Sequence, residues 1–131
     1  MRAILLDTNA YSNLLRGDDR VLEVLTDART VLMSPIAIGE LLSGFRNGSR
    51  FRANQSLLKE FLSSPNVTTV AITAETSEVY SLLHAALKKK GQPIPTNDLW
   101  IAAQAVEQGA VLITYDGHFS SIDKLKTWAW Q

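Results

Sequence analysis

Apolar residues follow two rhythms along this chain. Arg2-Ala3-Ile4-Leu5-Leu6, Val31-Leu32-Met33, Val67-Thr68-Thr69-Val70 and Val111-Leu112-Ile113 are short, nearly unbroken runs. Such runs read as strands buried on both faces of a parallel sheet. The stretches between them place apolar residues at helical spacing. After Asp7-Thr8-Asn9, a polar trio able to cap a helix, a short helix should turn Leu14 and Leu15 inward and break near Gly17. Asp18 or Asp19 can cap a second helix carrying Val21, Leu22, Val24 and Leu25. Ser34-Pro35 is a strong helix start, and Ile38, Leu41, Leu42 and Phe45 then form one buried stripe. Asn47-Gly48-Ser49 ends that segment, and an amphipathic helix is expected from Arg52 to Leu62. A long helix from Thr73 to Lys90 carries Val79, Leu82, Leu83, Ala86 and Leu87, and it stops at Gly91. Ile122 to Leu125 and Thr127 to Trp130 leave room for a turn and a last edge strand.

The most informative stretch runs from Gln92 to Val106. Pro93 and Pro95 make a rigid approach, since each fixes its own φ and keeps the preceding residue out of the helical region. Thr96 or Asn97 is then expected to cap a helix that ends at Gly109. Leu99, Trp100, Ile101, Ala102, Ala103, Ala105 and Val106 make this helix apolar on nearly all sides, so it must be buried. It therefore carries Asp98, in its first turn, to the edge of the core. A carboxylate there either complements the helix dipole or meets something positive.

Alternating strands and helices specify an α/β three-layer sandwich. Its central sheet should be mainly parallel, of four to five strands, with helices on both faces and right-handed crossovers. No repeat or linker interrupts the chain, and residues 1–131 are expected to form a single domain.

Composition narrows the chemistry. The 46% hydrophobic and 20% charged shares are those of a globular protein, and the formal net charge is zero. A nucleic-acid partner would therefore be held by a local basic patch or by metal ions rather than by overall charge. Cysteine is absent, which removes disulfides, zinc–thiolate sites and a cysteine nucleophile. The lack of a secretory leader or a membrane-length apolar run makes the cytoplasm the expected location, with no membrane partner.

In open parallel sheets the functional crevice lies beyond the carboxyl ends of the strands. Asp7 follows the first strand and Asp116 the fourth, while Glu40 and Asp98 sit in early helical turns. Each has an ordinary alternative: Asp7 as a helix cap, Glu40 as an exposed helix residue, Asp116 before Gly117 as a turn residue. Their joint placement is what these alternatives leave unexplained. Two like charges about 4 Å apart repel by roughly 4 kcal/mol at an effective dielectric of 20. A true cluster must then be partly protonated or neutralised by a cation. Oxygen ligands without cysteine favour a hard ion, Mg²⁺ or Mn²⁺, whose chemistry includes in-line attack on a phosphodiester.

Four blocks carry a resemblance. They are Ile4-Leu5-Leu6-Asp7-Thr8-Asn9, Ser34-Pro35 running to Glu40-Leu41, Pro95-Thr96-Asn97-Asp98-Leu99-Trp100-Ile101-Ala102-Ala103, and Leu112-Ile113-Thr114-Tyr115-Asp116-Gly117-His118-Phe119. In this order, across essentially the whole chain, they resemble the signature blocks of PIN-domain ribonucleases. More narrowly they resemble the VapC toxins of toxin–antitoxin pairs. The resemblance implies a Mg²⁺- or Mn²⁺-dependent endoribonuclease with metal ligands, and catalytic residues, at Asp7, Glu40, Asp98 and Asp116. Thr8, Thr96 and Thr114 match polar positions that support those ligands. It also implies an RNA substrate, a small antitoxin whose tail fills the acidic groove, and a homodimer. The fourth acid varies most among relatives, and Tyr115 stands where many have another polar or basic residue.

Arg46, Arg50 and Arg52 gather around a loop and either grip an RNA backbone or solvate the surface. Lys88-Lys89-Lys90 offsets a helix C-terminus. His84 reads as an ordinary helix residue; His118 either packs in a turn or touches substrate. Trp100, Trp128 and Trp130 read as core or interface residues, with base stacking the alternative. A Mg²⁺-dependent phosphatase of the haloacid dehalogenase type would need an Asp where Asn9 stands. A receiver-like domain would need a phosphorylatable Asp where Ala71-Ile72 follow the third strand. A non-catalytic PIN-like module binding RNA or protein would not need all four acids.

Overall fold

The computed structural model describes residues 3–128. Five strands form one sheet: β1 (Ala3–Leu6), β2 (Thr30–Met33), β3 (Val67–Thr69), β4 (Val111–Ile113) and β5 (Lys126–Thr127). Their spatial order is β3-β2-β1-β4-β5, and every neighbouring pair is parallel. Six helices pack around it: α1 (Thr8–Leu15), α2 (Asp19–Asp27), α3 (Pro35–Arg46), α4 (Phe51–Leu62), α5 (Ala74–Lys90) and α6 (Thr96–Gln108). A 3-10 turn occupies Gly117–Ser121.

Strand alternation sorts the core into two layers. Leu5, Leu32 and Leu112 point to one face and pack with Leu83 and Leu87 of α5 and with Leu99, Ala102 and Ala103 of α6. Ile4, Leu6, Val31, Met33 and Ile113 point to the other, against Tyr11, Val21, Leu41 and Leu58. The expected three-layer sandwich is therefore present, with α5 and α6 on one side and α1 to α4 on the other. Apart from Thr30 at the start of β2, the central strands are apolar because both their faces are covered. β3 instead lies at an edge, with Thr68 and Thr69 exposed.

Several local expectations are corrected. Pro95, not Thr96 or Asn97, holds the N-cap position of α6, and it makes no side-chain cap bond. The helix starts one residue earlier than a Thr96 cap would allow, because the Pro95 carbonyl already accepts from the Leu99 amide at 3.0 Å. Leu15 is exposed rather than inward, and of the apolar residues that α2 and α5 carry, Leu22 and Leu82 (65%) and Ala86 face solvent as well. Of the expected stripe on α3, Leu41 is buried, while Ile38, Leu42 and Phe45 are only partly covered. α4 starts at Phe51. The last strand is Lys126–Thr127, one residue upstream of the expected start. Trp128 is core, donating its indole N–H to the Thr114 carbonyl at 2.6 Å. The readings on Arg2 and Trp130 lie outside the described residues. No described helix is long and apolar enough to cross a membrane.

Candidate active site

The carboxyl ends of β1 and β4 are adjacent, since the Asp7 amide donates to the Ile113 carbonyl at 3.2 Å. Asp7 and the Thr114–Asp116 segment therefore leave the sheet side by side. Asp7 is 5% exposed. One carboxylate oxygen caps α1 by accepting from the Ala10 amide at 2.8 Å. The capping and ligand readings are thus compatible, because the cap uses only one of two oxygens. Burial pushes the Asp7 pKa up; hydrogen bonds from Thr114 and Ala10 pull against this, and the charges of Asp98 and Asp116 add to it.

α6 brings Asp98 to the same rim, on the turn that Pro95 begins. Burial raises its pKa as well; the nearby His118 opposes this, and Glu40 and Asp116 reinforce it. Glu40 arrives from α3 and is held from two sides. The Thr8 hydroxyl donates to its Oε1, and the Asn97 side-chain amide donates to its Oε2 at 3.2 Å. Thr114 is buried and accepts from the Asp116 amide at 2.9 Å, which turns the chain after β4.

The charges of Asp98 and Asp116 bear on Asp7, and those of Glu40 and Asp116 on Asp98. Among the described residues, however, the group whose ligand atoms lie close enough to share one ion is Asp98, Asp116 and His118, without Asp7 or Glu40. Thr8 donates to Glu40, and Thr114 bonds Asp7 and the Asp116 amide. Thr96 does not join them; it lines a separate hollow of about 210 Å³ with Tyr80, His84 and Ile94. The residue supporting Glu40 is its neighbour, Asn97. The early start of α6 is what aims Asn97 across to α3.

His118 occupies a place that its sequence neighbourhood does not reveal. Its Nδ1 lies 3.0 Å from Asp116 Oδ1 and its Nε2 3.0 Å from Asp98 Oδ2. His118, expected to pack in a turn or touch substrate, instead lies against two of the acids. Asp98 and His118 are far apart in sequence, and only the packing of α6 against β4 joins them. One ligand atom from each of Asp98, Asp116 and His118 falls within 4.8 Å of the others. Carboxylate oxygens with one imidazole, on a half-buried rim, suit a divalent cation held mainly by oxygen.

The outlying residues are more ordinary. Arg46 sits with its guanidinium 4.2 Å over the Phe51 ring, and Arg46, Arg50 and Arg52 are exposed near the junction of α3 and α4. His84 is an exposed helix residue stacked near Tyr80. Trp100 is half-buried and stacks on Tyr80, with ring centres 4.1 Å apart.

The chain resembles known proteins over most of its length. The family model described as PIN domain matches residues 4–125. Ribonuclease VapC1 of Haemophilus influenzae strain R2866 is 33% identical over 132 residues, covering 96% of each chain. Ribonuclease VapC2 of Rickettsia felis is 34% identical over 93 residues, covering 71% of this chain and 68% of the relative. Among solved structures, VapBC2 from Rickettsia felis bound to a DNA fragment from its promoter superposes with a TM-score of 0.84. The identity is 29%, over 98% of this chain and 99% of that one.

Proposed function

The chain belongs to the PIN-domain family, and on that premise we propose that it is a metal-dependent endoribonuclease acting as the toxin of a toxin–antitoxin pair. The observation that carries this reading is the gathering of ligand atoms of Asp98, Asp116 and His118 within 4.8 Å, beside the buried Asp7 and with Glu40 acting on Asp98. Burial first and neighbouring charge second raise the pKa of Asp7 and Asp98 there. Such a site favours binding of a divalent ion because the ion relieves that repulsion. Mg²⁺ or Mn²⁺ bound there would supply an activated water for attack on phosphorus and a counter-charge for the leaving oxygen.

The protein's own groups do the positioning. Asp7 and Asp98 provide the most buried negative charge, with Glu40 and Asp116 beside them. Thr8 and Asn97 fix both Glu40 oxygens, while Thr114 holds Asp7 and the backbone of Asp116. These contacts restrict the rotamers of the acids before any ligand arrives, which lowers the reorganisation needed on binding. No side-chain nucleophile is required. Arg46, Arg50 and Arg52 provide exposed positive charge for the RNA backbone.

The relatives' names and the VapBC assemblies among the structural neighbours support a small antitoxin protein as partner. Its tail would cover the acidic rim. A homodimer, a single domain over 1–131 and a cytoplasmic location complete the proposal. The test is induction of the chain and of its Asp98→Asn variant in a bacterial host, following growth and RNA integrity. Arrest with discrete RNA cleavage only for the parent supports the reading; equal arrest and cleavage by the variant refutes it.

A further inference from the structure

Resting on the metal-nuclease reading, we propose that His118 Nε2 is a direct metal ligand beside Asp98, and that Asp116 acts on this ligand by orienting the imidazole. Nε2 is a buried atom with no hydrogen-bond partner; its approach to Asp98 Oδ2, at 3.0 Å, lacks the angle of a hydrogen bond. Two lone-pair-bearing atoms this close repel unless a proton or a cation lies between them. The opposite nitrogen, Nδ1, lies 3.0 Å from Asp116 Oδ1.

A carboxylate on one ring nitrogen with a bare second nitrogen facing a cluster of oxygens is the arrangement by which proteins orient a ligating histidine. A proton on Nδ1, the nitrogen beside Asp116 Oδ1, is the tautomer that leaves the Nε2 lone pair available. The spacing also fits. An octahedral ion with arms of about 2.1 Å sets neighbouring corners about 3 Å apart, which matches the Nε2 to Oδ2 separation of 3.0 Å. Phe119, its ring centre 4.6 Å from that of His118, and the 3-10 turn keep the ring at this rim. An imidazole among carboxylates tilts the site towards Mn²⁺ and other nitrogen-accepting metals over Mg²⁺.

The test is pulsed electron paramagnetic resonance on untagged full-length protein titrated with Mn²⁺ alone. The chain has two histidines, and His84 lies exposed on α5 away from the acids. Nitrogen modulation of bound Mn²⁺ is expected, with the ¹⁵N pattern when histidine is isotope-labelled, a readout that needs no substitution. His118→Gln should lose the modulation and narrow the Mn²⁺ over Mg²⁺ preference about tenfold. Asp116→Asn should keep the modulation while weakening Mn²⁺ binding about 10–100-fold. Bound Mn²⁺ with no nitrogen modulation overturns the inference and leaves the nuclease reading standing, and so does modulation that persists in His118→Gln. Failure of Mn²⁺ to bind at all removes both.

Discussion

The Tyr115 hydroxyl donates to Asp18 Oδ2 across 2.7 Å, tying the segment after β4 to the start of α2. Asp18 uses its other oxygen to cap α2, accepting from the Arg20 and Val21 amides at 2.8 and 3.1 Å. One carboxylate thus anchors both a helix and the strand end that carries Asp116. Tyr115 also meets the buried Trp128 edge-on at 5.2 Å. Its ring and its hydroxyl therefore hold different neighbours.

Tyr115→Phe separates those roles. The ring contact remains and the hydroxyl bond is lost, so a stability decrease of about 1 kcal/mol is expected, as for one net hydrogen bond. The Tyr115 hydrogen bond is also the main reason the Asp18 pKa is lowered. Stability from a lowered carboxyl pKa is present above the unfolded value and is lost as pH falls through the folded one. Urea unfolding of the variant should therefore show a smaller loss between neutral pH and the acid end of the Asp18 titration. An unchanged acid limb would mean that this bond does not form in solution.

Asp7→Asn and Asp98→Asn should each reduce RNA cleavage on the order of 10²–10³-fold, the scale of losing one charge aimed at a transition state. Folding should survive. Asn caps helices as well as Asp does, so the bond from the Ala10 amide to residue 7 is retained. Purified variants with full activity would refute the assignment, and variants that fail to unfold cooperatively would show a structural role instead.

These two acids were legible in the sequence because each depends on a local pattern. Asp7 ends an apolar run, and Asp98 opens a helix too apolar to lie on the surface. Glu40 was harder, since helical periodicity alone places it at the margin of the α3 stripe. Thr96 and Asn97 are adjacent polar residues, and only the one-residue shift that Pro95 imposes on α6 decides which of them faces Glu40. His118 carries no local signal for its contact with Asp98, because that contact arises between elements. The exposed leucines fail for a related reason: Leu22 and Leu82 sit at positions where periodicity marks an apolar edge but not how far the neighbouring layer extends.

Thr8→Val and Asn97→Ala together should release Glu40 without emptying the core. Both oxygens of Glu40 lose their protein donors, and Mn²⁺ affinity should fall about 10–100-fold, the usual effect of removing groups that orient a ligand. Calorimetric titration of Mn²⁺ checks this. Unaltered affinity would place Glu40 outside the cation's reach.

Replacing Arg46, Arg50 and Arg52 by Gln tests the basic patch. With single-stranded RNA and the Asp98→Asn background, each lost phosphate contact should flatten the plot of log K against log salt by about 0.7. Mn²⁺ affinity should not change, since these residues sit around the α3–α4 junction rather than among the acids. A salt slope identical to that of the parent would assign the arginines to surface solvation.

Cation binding and pH are coupled through the raised pKa values of Asp7 and Asp98. Above the ordinary carboxylate value of 3.8, the folded metal-free chain keeps protons that the unfolded chain releases. Its stability therefore falls as pH rises from that value through the raised ones, and the loss is complete above them. Asp7→Asn/Asp98→Asn removes both titrations, so the stability of this variant relative to the parent should increase over the same window in EDTA. Mn²⁺ acts in the opposite direction on the parent: at about 100 times its dissociation constant it should add about 2.7 kcal/mol. That gain should shrink at acid pH, where protons compete for the carboxylates, and should be largely lost in the double variant. Urea unfolding across pH, with EDTA or Mn²⁺, measures all three curves. A parent whose stability relative to the variant does not change with pH would mean that neither burial nor neighbouring charge raises the two carboxyls, and the basis for the site's affinity for a cation would be lost.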